Sequence, residues 1–287
     1  MKLYELRVAE SQAGSKLLAL LRRAHPQARD WVFQKALKER DIKVDGKRVD
    51  SNMSLKAGQL IQWYSSWEAP DIPVLYEDDK LLIVSKPAGL NSDASQGTQA
   101  TLISWAENRA RDEGGLWQPR LVHRLDNQTS GLIMLAKTDE AEQALTQALK
   151  AGQIIKRYEC LVSGCPEPAE AVLRAWLSKD ALLARVNIYS REVPGSREII
   201  TQYKVIKTAE DASRLSVRLH TGRTHQIRAH MAHMGHPLIG DDKYGDRELN
   251  RRLRARRLML AATELAFETQ GFLSYLAGKR FKQDAPF

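Results

Sequence analysis

Apolar residues recur at helical spacing in three stretches of the chain. Ser15 precedes Leu17, Leu18 and Leu21, which fall on one face, so a helix capped by Ser15 is predicted there. A second helix is predicted after Asp30, with Val32, Phe33, Ala36 and Leu37 on its inner side. The third is the best specified. Asp139 and Glu142 make an acidic capping box, Ala141, Ala144, Leu145, Ala148 and Leu149 form the stripe to be buried, and Gly152 ends it. Elsewhere the pattern is that of strands. Residues 42–49 read IKVDGKRV, and Asp45-Gly46 favours positive φ at both turn positions, which predicts a tight hairpin. Further strands are predicted at 60–64, 81–84, 132–136, 156–162 and 214–220, the last with Leu215, Val217 and Leu219 on one face. Helices and strands mix without an internal repeat, so the expected architecture is α/β or α+β with a mixed sheet.

Residues 65–73 hold two prolines and break the periodicity. A linker at 68–73 is therefore expected between a small α+β unit over 1–67 and a larger unit over 74–287. Charge separates the two further. The first 67 residues carry 13 basic and 7 acidic side chains, a net +6 of the chain's +9. A basic excess concentrated in one small unit points to a polyanionic partner, with a solvated capping domain as the plainer reading. At 43% hydrophobic and 28% charged the chain can bury a core, and wholesale disorder is excluded. No apolar run reaches the roughly 18 residues of a membrane span, so no membrane partner is expected. The opening MKLYELRVAESQ lacks the unbroken apolar stretch of a signal peptide. Two cysteines give no disulfide framework, and a reducing cytoplasm is expected.

Candidate chemistry lies in four places. In LVHRLDNQTSGL (121–132) Asp126 sits just before an apolar strand, beside His123 and Arg124. There it can serve as nucleophile or general base, or simply bond turn amides. Residues 220–245 hold five of the seven histidines, yet the positions four after His225 and four before His230 are Ala229 and Gln226. The paired histidines of a hydrolytic zinc helix are thus missing, which argues against metal. The same segment predicts a helix capped by Thr224 and ended by Gly235, with His225 and Arg228 at i, i+3 spacing. An arginine there can hold a carboxylate ionised and aimed through its fixed fork, or be a structural or solvated charge. Tyr158, near the start of KRYECLV, is a core residue or a face for a nucleobase. Residues 247–257 hold six arginines and one glutamate, with Leu249, Leu253 and Leu260 suggesting one apolar helical edge; the run is either solvated or phosphate-facing.

Four stretches, SKPAGL (85–90), HRLDNQTSGLIMLAK (123–137), KRYECLV (156–162) and GRTHQIRAHMAHMGHPLIGDDKYG (222–245), resemble in this order the bacterial pseudouridine synthases of the RluA type. The first 65 residues resemble the alpha-L RNA-binding domain typified by a ribosomal small-subunit protein. The resemblance implies an α+β fold with a mainly antiparallel central sheet and flanking helices, behind a small α+β RNA-binding domain. It implies that Asp126 is the nucleophile, that Arg228 pairs with it, and that Tyr158 packs on the target base. His123, Arg124, Thr129, Arg223, His225 and Gln226 fall on positions that shape the pocket and contact RNA. Lys86 and Pro87 match a lysine–proline motif, which sets Lys86 beside the substrate in a mainly structural role. Two departures stand out: Arg197-Glu198-Ile199-Ile200-Thr201 replaces the usual Lys-x-Ala-x-Thr, and Leu260-Ala261-Ala262 replaces Leu-His-Ala. Both bear on the target and neither touches the nucleophile.

The implied reaction detaches a uracil, turns it and rejoins it through carbon 5, with no net redox change or hydrolysis. Neither metal nor cofactor is expected. The implied partner is RNA, foremost 23S-type large-subunit rRNA with tRNA as the alternative, and the protein is expected to act as a monomer. Two other functions are compatible with the sequence, a non-catalytic rRNA-binding assembly factor on the same fold and a metal-dependent hydrolase using the histidines.

Overall fold

The computed structural model describes residues 2–25, 28, 30–65, 72–93, 101–115, 117–180 and 184–287. In chain order the strands and helices are β1 (Lys2–Arg7), α1 (Leu17–Ala24), α2 (Asp30–Lys38), β2 (Ile42–Val44), β3 (Lys47–Val49) and β4 (Leu60–Ser65). Then come β5 (Val74–Glu77), β6 (Leu81–Lys86), α3 (Leu102–Asp112), β7 (Arg120–Leu121), β8 (Ser130–Ala136), α4 (Asp139–Lys150) and β9 (Ile154–Ser163). The remainder are β10 (Glu170–Asp180), β11 (Arg185–Tyr189), β12 (Arg197–Thr208), β13 (Ala212–Leu219), α5 (Gln226–His233), α6 (Arg247–Arg252), β14 (Leu260–Phe267) and β15 (Arg280–Lys282).

Two compact units form, one from 1–72 with 90–121 and the other from 73–89 with 122–287. Residues 90–121, expected from sequence to belong with the larger segment, thus group with the first unit. Most of the expected linker, 68–71, lies outside the described residues. The first unit is built on an antiparallel sheet in the order β1-β4-β2-β3. Its core joins Leu17, Leu18 and Leu21 of α1 to Phe33 of α2 and Trp63 of β4, with Tyr4 stacked on Trp63 at 4.8 Å. The hairpin turns at Asp45 (φ 50) and Gly46 (φ 77), as the dipeptide requires. Ser15 is not the cap of α1. Lys16 holds that place without a side-chain bond, and the amide of Leu18 donates instead to Asn52 Oδ1 at 2.9 Å. Strand β1 carries no sequence signature because Lys2, Glu5 and Arg7 interrupt its apolar positions; an edge strand needs only one covered face.

The second unit is a sheet in the order β11-β10-β12-β13-β9-β14-β8-β6-β5, with β15 beside β14. These neighbours pair antiparallel except β8 with β14, which makes the fold the expected α+β with a mainly antiparallel sheet. Leu132 through Ala136 of β8 are completely enclosed, which explains their unbroken apolar run: both faces of this central strand are covered. Helix α4 lays Ala141, Leu145 and Ala148 inward, and Thr138, one residue before the expected box, caps it through the amide of Ala141. The arginine-rich run is helical only over α6, where Asp246 caps the amides of Glu248 and Leu249. The expected single apolar edge is broken, since Leu249 is buried, Leu253 is 41% exposed and Leu260 belongs to β14.

Gly131, at the start of β8, has φ +112, and a Cβ there would lie 2.2 Å from the carbonyl oxygen of Ala262 across the parallel pairing. Backbone cannot retreat as a flexible side chain can, and the dihedral itself favours glycine. Gly131→Ala is expected to destabilise the protein by about 3 kcal/mol or more. Urea denaturation checks it, and a midpoint equal to the parent's would contradict this account of the turn.

Candidate active site

The residues before β8 form the turn that carries Asp126. The amide of Thr129 donates to the Asp126 carbonyl at 3.1 Å, closing the turn just ahead of Gly131. The segment after β6 clasps it from the other side. Gly89 N donates to Asn127 O at 2.8 Å, and Asn127 Nδ2 returns a bond to Gly89 O at 3.1 Å. Lys86 Nζ bonds the carbonyls of Pro87 (3.0 Å) and Asn127 (3.3 Å). The lysine is fully enclosed at 0% exposure, so it braces the Asp126 turn from inside the protein and does not reach a bound RNA. Burial pulls its pKa down to about 7, with Asp126 opposing that fall. His123 is a second brace. Its Nε2 accepts the amide of Met134 at 3.2 Å, and burial, with Lys156 nearby, holds its pKa down to about 3, so the ring is neutral.

Helix α5 supplies the other side of the site. Its N-cap is His225, in the left-handed region at φ 53, and not Thr224 as the sequence suggested. Gln226, expected to touch RNA, is 2% exposed and spends its amide inside the protein. It accepts from Thr221 Oγ1 and Arg223 N and donates to Ile200 O and Thr201 Oγ1, pinning the loop before α5 to β12. From the first turn of α5, Arg228 Nη1 comes within 3.5 Å of Asp126 Oδ2, and His225 Nε2 within 3.9 Å of the same oxygen.

The strongest bonds of Arg228 go elsewhere. Its Nε and Nη2 form a fork on Asp241 at 2.7 and 2.8 Å, and Nη2 also meets Asp242 at 3.1 Å. Asp241 is 1% exposed and also accepts the amides of Lys243 and Tyr244. Burial opposes its ionisation, but the Arg228 bonds and charge, with those two amides, outweigh burial and hold its carboxyl below the usual range. Asp241 did not stand out in the sequence because it lies 13 residues from Arg228, beyond Pro237. The motif GDDKYG that carries it was the available signal.

Asp126, Arg228, Tyr158, His123, Arg124, Thr129, Arg223, His225 and Gln226 all line one cavity of about 590 Å³, within the range of small-molecule sites. Tyr158 projects from β9 and is 5% exposed, and burial, with Asp126 nearby, pushes its phenol well above the ordinary value. Leu149, Ile227 and Leu260 add apolar wall. Arg124 and Arg223 are exposed at the rim. Lys156, to which no role was assigned from the sequence, also lines the cavity, its pKa lowered by burial. The histidines of the second cluster disperse: His220 faces Gln202, His230 faces Thr201, and His236 bonds Ser163 O. Among the described residues no three His, Cys, Asp or Glu side chains gather as metal ligands.

Residues 80–233 match the sequence model of the family described as RNA pseudouridylate synthase. The chain is 34% identical over 237 residues to the ribosomal large subunit pseudouridine synthase D of Zymomonas mobilis, covering 76% of this chain and 70% of that relative. It is also 34% identical over 260 residues to an uncharacterised RNA pseudouridine synthase of Bacillus subtilis, covering 84% and 82%. This chain belongs to the RNA pseudouridine synthases. The synthase is therefore an isomerase acting on RNA. Its fold agrees with that of human RNA pseudouridylate synthase domain containing 1, with a TM-score of 0.62 at 23% identity over 78% of this chain and 87% of that one. No described helix of the synthase is long and apolar enough to cross a membrane.

Three histidines of the synthase are kept neutral by burial, His123 down to about 3 and His25 and His230 down to about 4. Unfolded, each takes up its proton near pH 6.5, so the unfolded chain binds more protons below that pH. The contribution of these three histidines is expected to be level above about pH 7 and to fall as pH drops from about 6.5 towards 4, while the lowered pKa of Lys86 makes stability rise further above pH 7. Urea midpoints across this range check it; a midpoint unchanged down to pH 5 would contradict the neutral assignment.

Proposed function

We propose that the enzyme isomerises uridines of large-subunit, 23S-type rRNA, using Asp126 as a covalent nucleophile on a flipped-out uridine. The observation that carries the mechanism is the convergence of Arg228 and His225 on one oxygen of Asp126 at the wall of a cavity that Tyr158 also lines. In the reaction the bond from ribose carbon 1 to N1 of the base breaks and a bond from that carbon to carbon 5 forms. A proton leaves carbon 5 and N1 gains one. One nucleophile divides this into easier steps, whether it adds to the ribose or to the base. Arg228 and His225 orient Oδ2 for that attack. The raised pKa of Tyr158 keeps its phenol protonated, which suits a ring that packs on the base better than a base that removes a proton. Leu149, Ile227 and Leu260 help exclude the water that would otherwise compete for the intermediate.

Extruding a uridine costs a few kcal/mol. Phosphate contacts offset that cost, from the rim arginines Arg124 and Arg223 and from the net +6 of residues 1–67. Residues 1–67 are read as the alpha-L RNA-binding domain and 74–287 as the catalytic domain. The large-subunit rRNA reading is supported by relatives of that name, at 34% identity for the protein from Zymomonas mobilis.

Asp126→Asn is expected to keep RNA affinity within about twofold and to abolish product. Filter binding and chemical mapping of pseudouridine measure the two. Mapping total RNA with and without the gene names the target, and a missing modification in tRNA alone would overturn the rRNA assignment. Product formed by the Asp126→Asn protein would remove Asp126 from the mechanism.

A further inference from the structure

His225 Nε2 and Arg228 Nη1 reach the same oxygen of Asp126, and a single side chain touches both of their owners. The Tyr244 hydroxyl lies 3.0 Å from His225 Nδ1 and accepts the amide of Val186 at 2.9 Å. Its ring centroid is 5.4 Å from the guanidinium carbon of Arg228, and the His225 ring meets it edge-on at 5.6 Å. The hydroxyl has one proton to give, and with Val186 donating into the oxygen, Nδ1 at 3.0 Å is the acceptor placed to take it. A neutral imidazole accepting at Nδ1 carries its own proton on Nε2, the nitrogen that faces Asp126. The other tautomer would set the lone pair of Nε2 against a carboxylate. Burial keeps the imidazole on the neutral side despite the pull of Asp126, so its tautomer decides which nitrogen donates.

We propose that Tyr244 is a positioning residue, donating to His225 Nδ1 and so fixing the Nε2–H tautomer that gives Asp126 Oδ2 a second donor beside Arg228. The inference rests on Asp126 as the nucleophile. The backbone supports it. His225 is held in the left-handed region, a conformation that glycine or asparagine would adopt at lower cost if only the turn mattered. The bonds of Gln226 to Thr221, Arg223, Ile200 and Thr201 hold the strained residue in place. At 3.9 Å the contact to Asp126 is longer than a hydrogen bond, and the scheme requires it to shorten when substrate fills the cavity. His225 transfers no proton in this scheme; it orients.

The test is a double-mutant cycle in the full chain with Tyr244→Phe and His225→Gln. Turnover is read as tritium released from total RNA of cells lacking the gene, labelled at carbon 5 of uridine. Rates are taken at a temperature where circular dichroism shows all four proteins folded. Tyr244→Phe keeps the ring beside Arg228, and is expected to lower kcat about tenfold with KM within about twofold. A glutamine amide donates near the Nε2 position without a tautomer to choose. In the His225→Gln background, Tyr244→Phe is therefore expected to cost less than about twofold. Nitrogen-15 shifts of the His225 ring read the tautomer independently, with Nε2–H expected in the parent protein. An equal loss in both backgrounds, no loss in either, or Nδ1–H in the parent overturns the proposal. If Asp126→Asn is inactive while the cycle is additive, the tautomer assignment alone fails; if Asp126→Asn makes product, the mechanism beneath it fails.

Discussion

One guanidinium, buried at Arg228, stands between three carboxylates, and the geometry of the site depends on how it is shared. Asp241 takes the Nε edge as a fork, Asp242 adds a contact to Nη2, and Nη1 is left to approach Asp126. Removing a guanidinium from water costs several kcal/mol, which the enclosed Asp241 pair offsets only because both fork bonds are short and the carboxylate also holds two amides. The consequence is directional. A cation that could turn freely would serve Asp126 poorly, whereas a plane fixed along one edge points its other edge at a single oxygen. A lysine in the same place would bring the charge and not the plane.

The turn that carries Asp126 is fixed by a different device. Lys86, the Gly89–Asn127 backbone clasp and neutral His123 hold it against β6 and β8 from behind. Gly131 permits the close approach of β14. Asp126 and Arg228 therefore sit on separate frameworks, one built on β6 and β8 and the other on α5 and the loop after it. The sheet sets their distance. This explains why motifs far apart in the chain are needed together, and why several matched residues turn out to be braces. Lys86 and Gln226 lie inside the protein, and their polar atoms are spent on it.

Much of this was legible in the sequence, and the exceptions have physical causes. Helices α2 and α4, the Asp45-Gly46 hairpin and the enclosed strand β8 follow from periodicity and turn chemistry, which are local. Strand β1 was invisible because an edge strand tolerates charges, here Lys2, Glu5 and Arg7, among its apolar positions. The cap of α1 was misplaced because Asn52, 34 residues away from Leu18, supplies it. The same reason hid Asp241: a buried ion pair is a long-range contact, and spacing along a helix says nothing about a partner beyond the next proline. Asp126, Arg228 and Tyr158 could be named from motifs, but that they share a cavity wall is a property of the folded sheet. The grouping of 90–121 with the first unit is likewise tertiary, since α3 packs beside α1 with Asn108 bonded to Arg23 O.

The central claim is that a planar fork, and not positive charge alone, aims Asp126, the proposed nucleophile. Arg228→Lys separates the two most directly, with turnover followed by carbon-5 tritium release and folding by circular dichroism. The account predicts a folded protein whose kcat is at least about a hundredfold below the parent's. A folded Arg228→Lys enzyme turning over within about threefold of the parent would show that charge suffices, and would contradict it.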